Sequence, residues 1–136
     1  MSRPRVLLAD DHVALLEAAS ALLRSDFDVI GSATDGAELV AEAMRLNPDV
    51  IVVDVTMPGL NGIDAVRQLR ESGSSAKLVF LTGHSEPEFV NECVGAGASG
   101  YVLKSRMKTH LVPAIRAALA GAVYIYRSNT SMGVSK

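Results

Sequence analysis

A single cysteine, Cys93, stands in the 136 residues, and tryptophan is absent. One thiol excludes an internal disulfide and fits a reducing compartment. On an apolar stretch, Cys93 itself reads as a small core residue rather than a nucleophile. An excess of charge of either sign is also lacking, in a charged fraction of 21% that is ordinary. Thirteen Lys and Arg stand against fifteen Asp and Glu, a formal net charge of −2. Without a basic excess the chain has no electrostatic footprint for a nucleic acid. No apolar run approaches the roughly 20 residues of a membrane span. The segment Val6-Leu7-Leu8-Ala9 follows Arg3-Pro-Arg5 but stops at Asp10-Asp11, so it does not read as a signal peptide. These absences predict a cytoplasmic, soluble protein. Internal repeats and low-complexity tracts are lacking too.

What is present is ample apolar material, 49% of the chain, in a length typical of one domain. Five short runs are almost continuously aliphatic: Val6–Ala9, 27–33, Val50–Val53, 78–81 and 101–103. Such runs predict strands buried on both faces, as in a parallel sheet. Between them, apolar residues recur at helical spacing. The stripes are Val13, Leu16, Ala19, Leu22 and Leu23; Val40, Ala43 and Met44; Ile63, Val66 and Leu69; Phe89, Val90, Cys93 and Val94; and Leu111, Ile115, Ala118 and Leu119. Asn47-Pro48 and Gly73-Ser74-Ser75 read as helix ends, and Glu86-Pro87-Glu88 as a helix start. Pro113 is expected in the first turn of a helix beginning near Thr109 or His110. Five strand–helix alternations predict a parallel sheet with helices on both faces. The last stretch, from Gly121, contains a short extended candidate, 123–126, and a polar tail from Ser128.

Open α/β sheets bind ligands beyond the carboxyl ends of their strands. The residues that follow the runs are therefore the place to look for chemistry. The first run ends in Asp10-Asp11, the third in Asp54, the fourth in Thr82 and the fifth in Lys104. Clustered carboxylates repel and need a cation or a proton at neutral pH. Hard oxygen ligands with room for water describe a Mg²⁺ site. Lys104 is a mobile point charge suited to a phosphoryl oxygen, and Thr82 is a hydrogen-bond donor to another. Asp54 then reads as a nucleophile that forms an aspartyl phosphate. Taken singly, Asp11 reads equally well as a helix cap, and Lys104 and Thr82 as surface and turn residues. The conjunction at four strand ends out of five carries the functional reading.

Asp10-Asp11-His12, the run Asp54-Val55-Thr56-Met57-Pro58-Gly59-Leu60-Asn61-Gly62, Leu81-Thr82-Gly83 and Gly97-Ala98-Ser99-Gly100-Tyr101-Val102-Leu103-Lys104 together resemble receiver domains of bacterial two-component response regulators. Met-Pro-Gly and Gly-Tyr-Val-Leu-Lys-Ser are most similar to the nitrate-response branch, whose members usually add a LuxR-type output domain. The resemblance spans about Val6 to Ala120. It implies a flavodoxin-like α/β fold, a doubly wound five-stranded parallel sheet of order 2-1-3-4-5 with five helices. It makes Asp54 the phosphoacceptor and Asp11, Asp54 and the Thr56 carbonyl direct Mg²⁺ ligands, with Asp10 acting through water. Thr82 becomes the switch hydroxyl, Lys104 the phosphate-bound lysine, and Tyr101 the aromatic that changes rotamer. Thr56 and His84, two residues past the acceptor and the switch threonine, become the modulators of phosphate lifetime. His12 reads as a helix-start histidine and His110 as a surface residue.

The implied function is a signalling switch rather than a metabolic enzyme. A histidine kinase or phosphotransfer protein supplies the phosphoryl group, the domain catalyses its own phosphorylation and slow dephosphorylation, and a homodimer on phosphorylation is a further implied partner. Residues 1–121 are expected to form the receiver and 122–136 an extension or the start of a linker. A flavin- or nucleotide-binding domain of the same fold would need a Gly- or Ser/Thr-rich phosphate loop after the first strand, where Asp10-Asp11 stands. Two departures from the family are visible. Val13 replaces a common proline, and Ser105 follows Lys104 where many receivers have a proline in a cis bond. A cis bond to serine costs about 3 kcal/mol.

Overall fold

Each aliphatic run becomes a strand in the computed structural model, which describes residues 3–125 and 133–135. The strands are β1 (Arg5–Ala9), β2 (Asp28–Ala33), β3 (Val50–Val53), β4 (Lys77–Thr82) and β5 (Gly100–Leu103). The helices between and after them are α1 (Val13–Leu23), α2 (Gly36–Leu46), α3 (Gly62–Glu71), α4 (Pro87–Gly95) and α5 (Met107–Leu119). A single 3-10 turn, Lys104–Arg106, joins β5 to α5. The five strands are parallel in the order β2-β1-β3-β4-β5, as the resemblance implies.

The sheet does not stop at five strands. Val123–Ile125 forms β6, parallel to β5, with Gly100 opposite Tyr124 and Tyr101 opposite Ile125. A further strand, β7 (Gly133–Ser135), pairs antiparallel with β6. The expectation of a five-stranded sheet is corrected by these additions. The extended candidate 123–126 is borne out for Val123–Ile125, whereas Tyr126 lies outside the described residues, as does most of the tail from Ser128.

Two cores flank the sheet because side chains alternate along each strand. Leu7, Ile51, Val53, Leu78, Phe80 and Tyr101 pack against α2, α3 and α4 on one face. Val6, Leu8, Val52, Val79, Leu81 and Val102 pack against α1 and α5 on the other. Cys93 is fully buried, as read from its stripe. Four members of the helical stripes are not core residues: Val13, Met44, Val94 and Leu119 are exposed. They lie at the margin of their apolar faces, where spacing alone does not separate the buried side from its border. In α2 Ala43 is buried as its stripe predicts, and so is Leu39, which the sequence pattern passed over.

Helix ends follow local chemistry. Asp35 caps α2 by accepting from the Glu38 amide, and Asn61 caps α3 by accepting from that of Asp64. Asn47 closes α2 in the left-handed conformation, and Pro87 opens α4. Pro113 corrects the expectation for α5. The helix begins at Met107, so the proline sits inside it, where it cannot donate to the Thr109 carbonyl. His110 also differs from its surface reading: it is half-buried, with its ring edge-on to Tyr124 at 6.4 Å. No peptide bond among the described residues is cis, so Lys104–Ser105 is trans.

Candidate functional site

The carboxyl ends of β1, β3, β4 and β5 lie side by side, and their last residues meet. Asp10 follows β1, Asp54 follows β3, and Thr82 ends β4; they are 3%, 4% and 0% exposed, the three buried polar residues among those described. Backbone hydrogen bonds set the two carboxylates. Asp10 N–H donates to the Ala33 carbonyl, and Asp54 N–H to that of Ala9, each at 3.0 Å. Gly62 lets the acceptor strand and α3 approach closely. A Cβ there would stand 1.9 Å from the Asp54 carbonyl oxygen.

Lys104 reaches into this group from the turn after β5. Its Nζ donates to Asp54 Oδ2 at 3.1 Å and lies 2.9 Å from Asp10 Oδ2. The second contact has the closeness of an ion pair but not the alignment of a hydrogen bond, so buried Asp10 Oδ2 has no aligned donor. Burial pushes the Asp54 carboxyl above its ordinary range. The Lys104 ammonium pulls against that shift, and the charge of Asp10 adds to it. For Lys104, burial alone would lower the pKa. The close carboxylates of Asp10 and Asp54 outweigh it, leaving the ammonium above its usual value.

Asp10, Asp11, His12 and Asp54 each offer one ligand atom, all within 4.8 Å of one another. Three carboxylates with one unaligned, buried oxygen fit a hard divalent cation better than a soft one. Asp11 does not cap α1; the N-cap position is His12, which makes no side-chain cap. Instead the Asp10 carboxylate accepts from the His12 amide at 2.8 Å. The His12 ring lies against both acids, its Nδ1 3.0 Å from Asp10 Oδ1 and 3.2 Å from Asp11 Oδ1. The helix-start reading of His12 holds, and this bridging contact is an addition to it.

His84 organises the other bank. Its Nε2 is 3.0 Å from Thr56 Oγ1, its ring stacks on Phe89 at 4.2 Å, and its amide donates to Thr82 Oγ1 at 3.2 Å. The buried Tyr101 hydroxyl donates to the His84 carbonyl. The sequence-predicted site residues are therefore brought together: Asp10 and Asp54 meet Lys104, Asp11 shares the acidic cluster and meets the His12 ring, and Thr56, Thr82 and Tyr101 meet His84. Phe89 is the member that sequence reasoning missed. It registered only as part of the α4 stripe, and nothing in its spacing marks it as a platform for an imidazole.

The sequence and the fold have close counterparts. Residues 6–116 match the response regulator receiver domain family, and the chain belongs to that family. It is 40% identical over 119 residues to the transcriptional regulatory protein LiaR of Bacillus subtilis, covering 86% of this chain and 56% of that protein. A LuxR-family two-component response regulator from Aurantimonas superposes with a TM-score of 0.87 at 35% identity, covering 94% of this chain and 92% of the other. The receiver domain of the putative response regulator NarL from Mycobacterium tuberculosis gives 0.84 at 28% identity, over 89% and 99%. The chain spans a little over half the length of the curated relatives it matches. It is a receiver domain of a two-component response regulator, a signalling switch, and its relatives are LuxR-family regulators.

Proposed function

We propose that this receiver accepts a phosphoryl group on Asp54 from the phosphohistidine of a histidine kinase or phosphotransfer protein. The observation that carries the reading is the Lys104 ammonium, held 3.1 Å from Asp54 Oδ2 and 2.9 Å from Asp10 Oδ2 at the mouth of the acidic cluster. An Asp54 oxygen attacks phosphorus, the phosphorus–nitrogen bond breaks, and the donor imidazole leaves with the bonding pair and takes up a proton. Lys104 moves from the carboxylate to a phosphoryl oxygen. Thr82 Oγ1 already accepts the His84 amide, so its own proton remains available to a second phosphoryl oxygen.

Asp11, Asp54 and the Thr56 carbonyl would hold Mg²⁺, with Asp10 acting through water. When bound, the ion neutralises charge gathering between acceptor and incoming phosphate. Tyr101 and Thr82 form the switch: a Thr82 hydroxyl drawn to the phosphate disturbs the His84 backbone, and with it the Tyr101 hydroxyl's acceptor. Dephosphorylation is slow because Thr56 offers no strong base and the stacked His84 ring covers the approach of water. Residues 1–121 act as the receiver and 122–136 as an extension of it, whose strand Val123–Ile125 lies along β5. In a longer protein, pairing through a homodimer and a LuxR-type output domain would turn the switch into transcriptional control. Sedimentation of the beryllofluoride-loaded protein tests the pairing, and a strict monomer at high concentration rejects it.

The acceptor assignment is tested with acetyl phosphate. Wild-type protein should take up an acid-stable, base-labile label in the presence of Mg²⁺, and Asp54→Asn should take up none. Labelling that survives in the variant places the acceptor elsewhere.

A further inference from the structure

We infer that the corner between β2 and α2, and Gly36 above all, is a strut that spaces the two loops bearing the proposed Mg²⁺ ligands. The inference rests on the metal reading above. No residue of this corner belongs to the acidic cluster, yet the corner touches both of its banks. On one side the Ala33 carbonyl accepts the Asp10 amide at 3.0 Å. On the other, Gly36 abuts the loop that runs from Thr56 to Asn61. A Cβ on Gly36 would stand 1.8 Å from the Leu60 carbonyl oxygen and 2.7 Å from its Cβ. The obstacle is backbone, so no rotamer change relieves it.

The corner itself is stiff. Asp35 accepts the Glu38 amide at 2.8 Å, while the Glu38 carboxylate accepts from the Thr34 amide at 2.6 Å and its hydroxyl at 3.2 Å. These reciprocal bonds lock the first turn of α2 against the end of β2. The loop beyond is gripped from behind as well, since the Gly62 amide donates to the Val55 carbonyl at 2.9 Å and Gly62 leaves no room beside Asp54. Thr56 therefore sits on a short loop held between two glycine contacts. Adding a methyl at position 36 must drive Leu60 away by more than 1 Å to restore an ordinary contact. A shift of that size in a ligand-bearing loop degrades a geometry that a small, demanding cation needs. Gly36 is thus a positioning residue: it touches no reacting atom and acts through Leu60 and the loop.

The test is calorimetric titration of the folded protein with Mg²⁺ alone. Gly36→Ala should raise the Mg²⁺ dissociation constant roughly tenfold or more, the scale seen for residues that orient ligands from behind. Labelling by acetyl phosphate at saturating Mg²⁺ should recover much of the wild-type rate, a split that general destabilisation does not produce. Gly31→Ala, in the strand that leads into the corner, is the control. Its Cβ meets only side-chain ends, Leu46 nearest at 3.1 Å and then Leu7 and Glu42 at 3.5 and 3.9 Å, and its Mg²⁺ affinity should equal that of wild type. If Gly36→Ala does not fold, Glu38→Ala decides. It unlocks the corner from an exposed position, and a several-fold loss of Mg²⁺ affinity supports the strut. Wild-type affinity in folded Gly36→Ala, or in Glu38→Ala where that variant decides, overturns the strut and leaves the metal site standing. Absence of Mg²⁺ binding in wild type overturns the metal reading itself.

Discussion

At the scale of single residues, His84 carries more than its place in the chain suggests. Thr56, Thr82, Phe89 and Tyr101 all meet it, two through its ring and two through its backbone. Replacing it with glycine removes the ring contacts while leaving the amide and carbonyl in place. His84→Gly should therefore shed phosphate several-fold faster than wild type, with Mg²⁺ affinity unchanged. Equal or slower decay of the labelled protein would show that the imidazole is not a shield. Cys93 gives a separate prediction. Burial, with the charge of Glu92 adding, pushes its thiol up to about 12. The unfolded value is about 8.5. A raised folded value means stability that is full below about pH 8.5 and falls as pH rises toward 12. Burial also raises Tyr101, which acts in the same direction. Denaturant midpoints should fall through this alkaline window and fall less steeply in Cys93→Ala. Iodoacetamide at pH 8 should label Cys93 only after unfolding; rapid labelling of the native protein would contradict its burial.

Among the elements, β6 is the departure with consequences. It covers the edge of β5 with a strand of the same chain, removing a row of unpaired backbone groups. Its residues divide between the two cores. Ile125 lies opposite Tyr101 and joins the cluster of α2, α3 and α4, whereas Tyr124 packs with α5. The strand thus ties both helical layers to the proposed switch aromatic. Ile125→Ala should cost about 2 kcal/mol, at the lower end for a buried isoleucine because the site is at the sheet margin. Urea denaturation measures this, and a loss below about 0.5 kcal/mol would mean that the edge strand adds little to the fold. The aliphatic patterns of β1 to β5 were legible because each strand is buried on both sides. Val123-Tyr124-Ile125 was legible only as something extended, because three residues hold no information about their neighbour.

For the molecule as a whole, the acidic mouth couples stability to cation binding. Asp10, Asp11 and Asp54 crowd within one small volume, answered by Lys104 and the His12 ring. A divalent cation that binds only the folded chain stabilises it by mass action. Mg²⁺ should raise the melting temperature of wild type by a few degrees, and Asp11→Ala should abolish most of that rise. A full Mg²⁺ response in the variant, followed by differential scanning calorimetry, would reject Asp11 as a ligand. Hydropathy adds one plain fact: no helix among the described residues is long and apolar enough to cross a membrane.

The sequence by itself determined the alternation of strands and helices, the two-faced burial of the sheet, and the gathering of Asp10, Asp54, Thr82 and Lys104 at one edge. These follow from local pattern and from the rule that parallel strands end at the same side. Tertiary structure decided what depends on distance between segments far apart in the chain. That His84 stacks on Phe89 and meets Thr56, that His12 bridges two acids, and that Gly36 presses on Leu60 are contacts with no periodicity to reveal them. Pro113 within α5 belongs to the same class, since the start of that helix is set by the 3-10 turn that delivers Lys104 to the site. Exposure of Val13, Met44, Val94 and Leu119 was likewise settled only by packing, because a helix shows its spacing in sequence but not the width of the surface it meets.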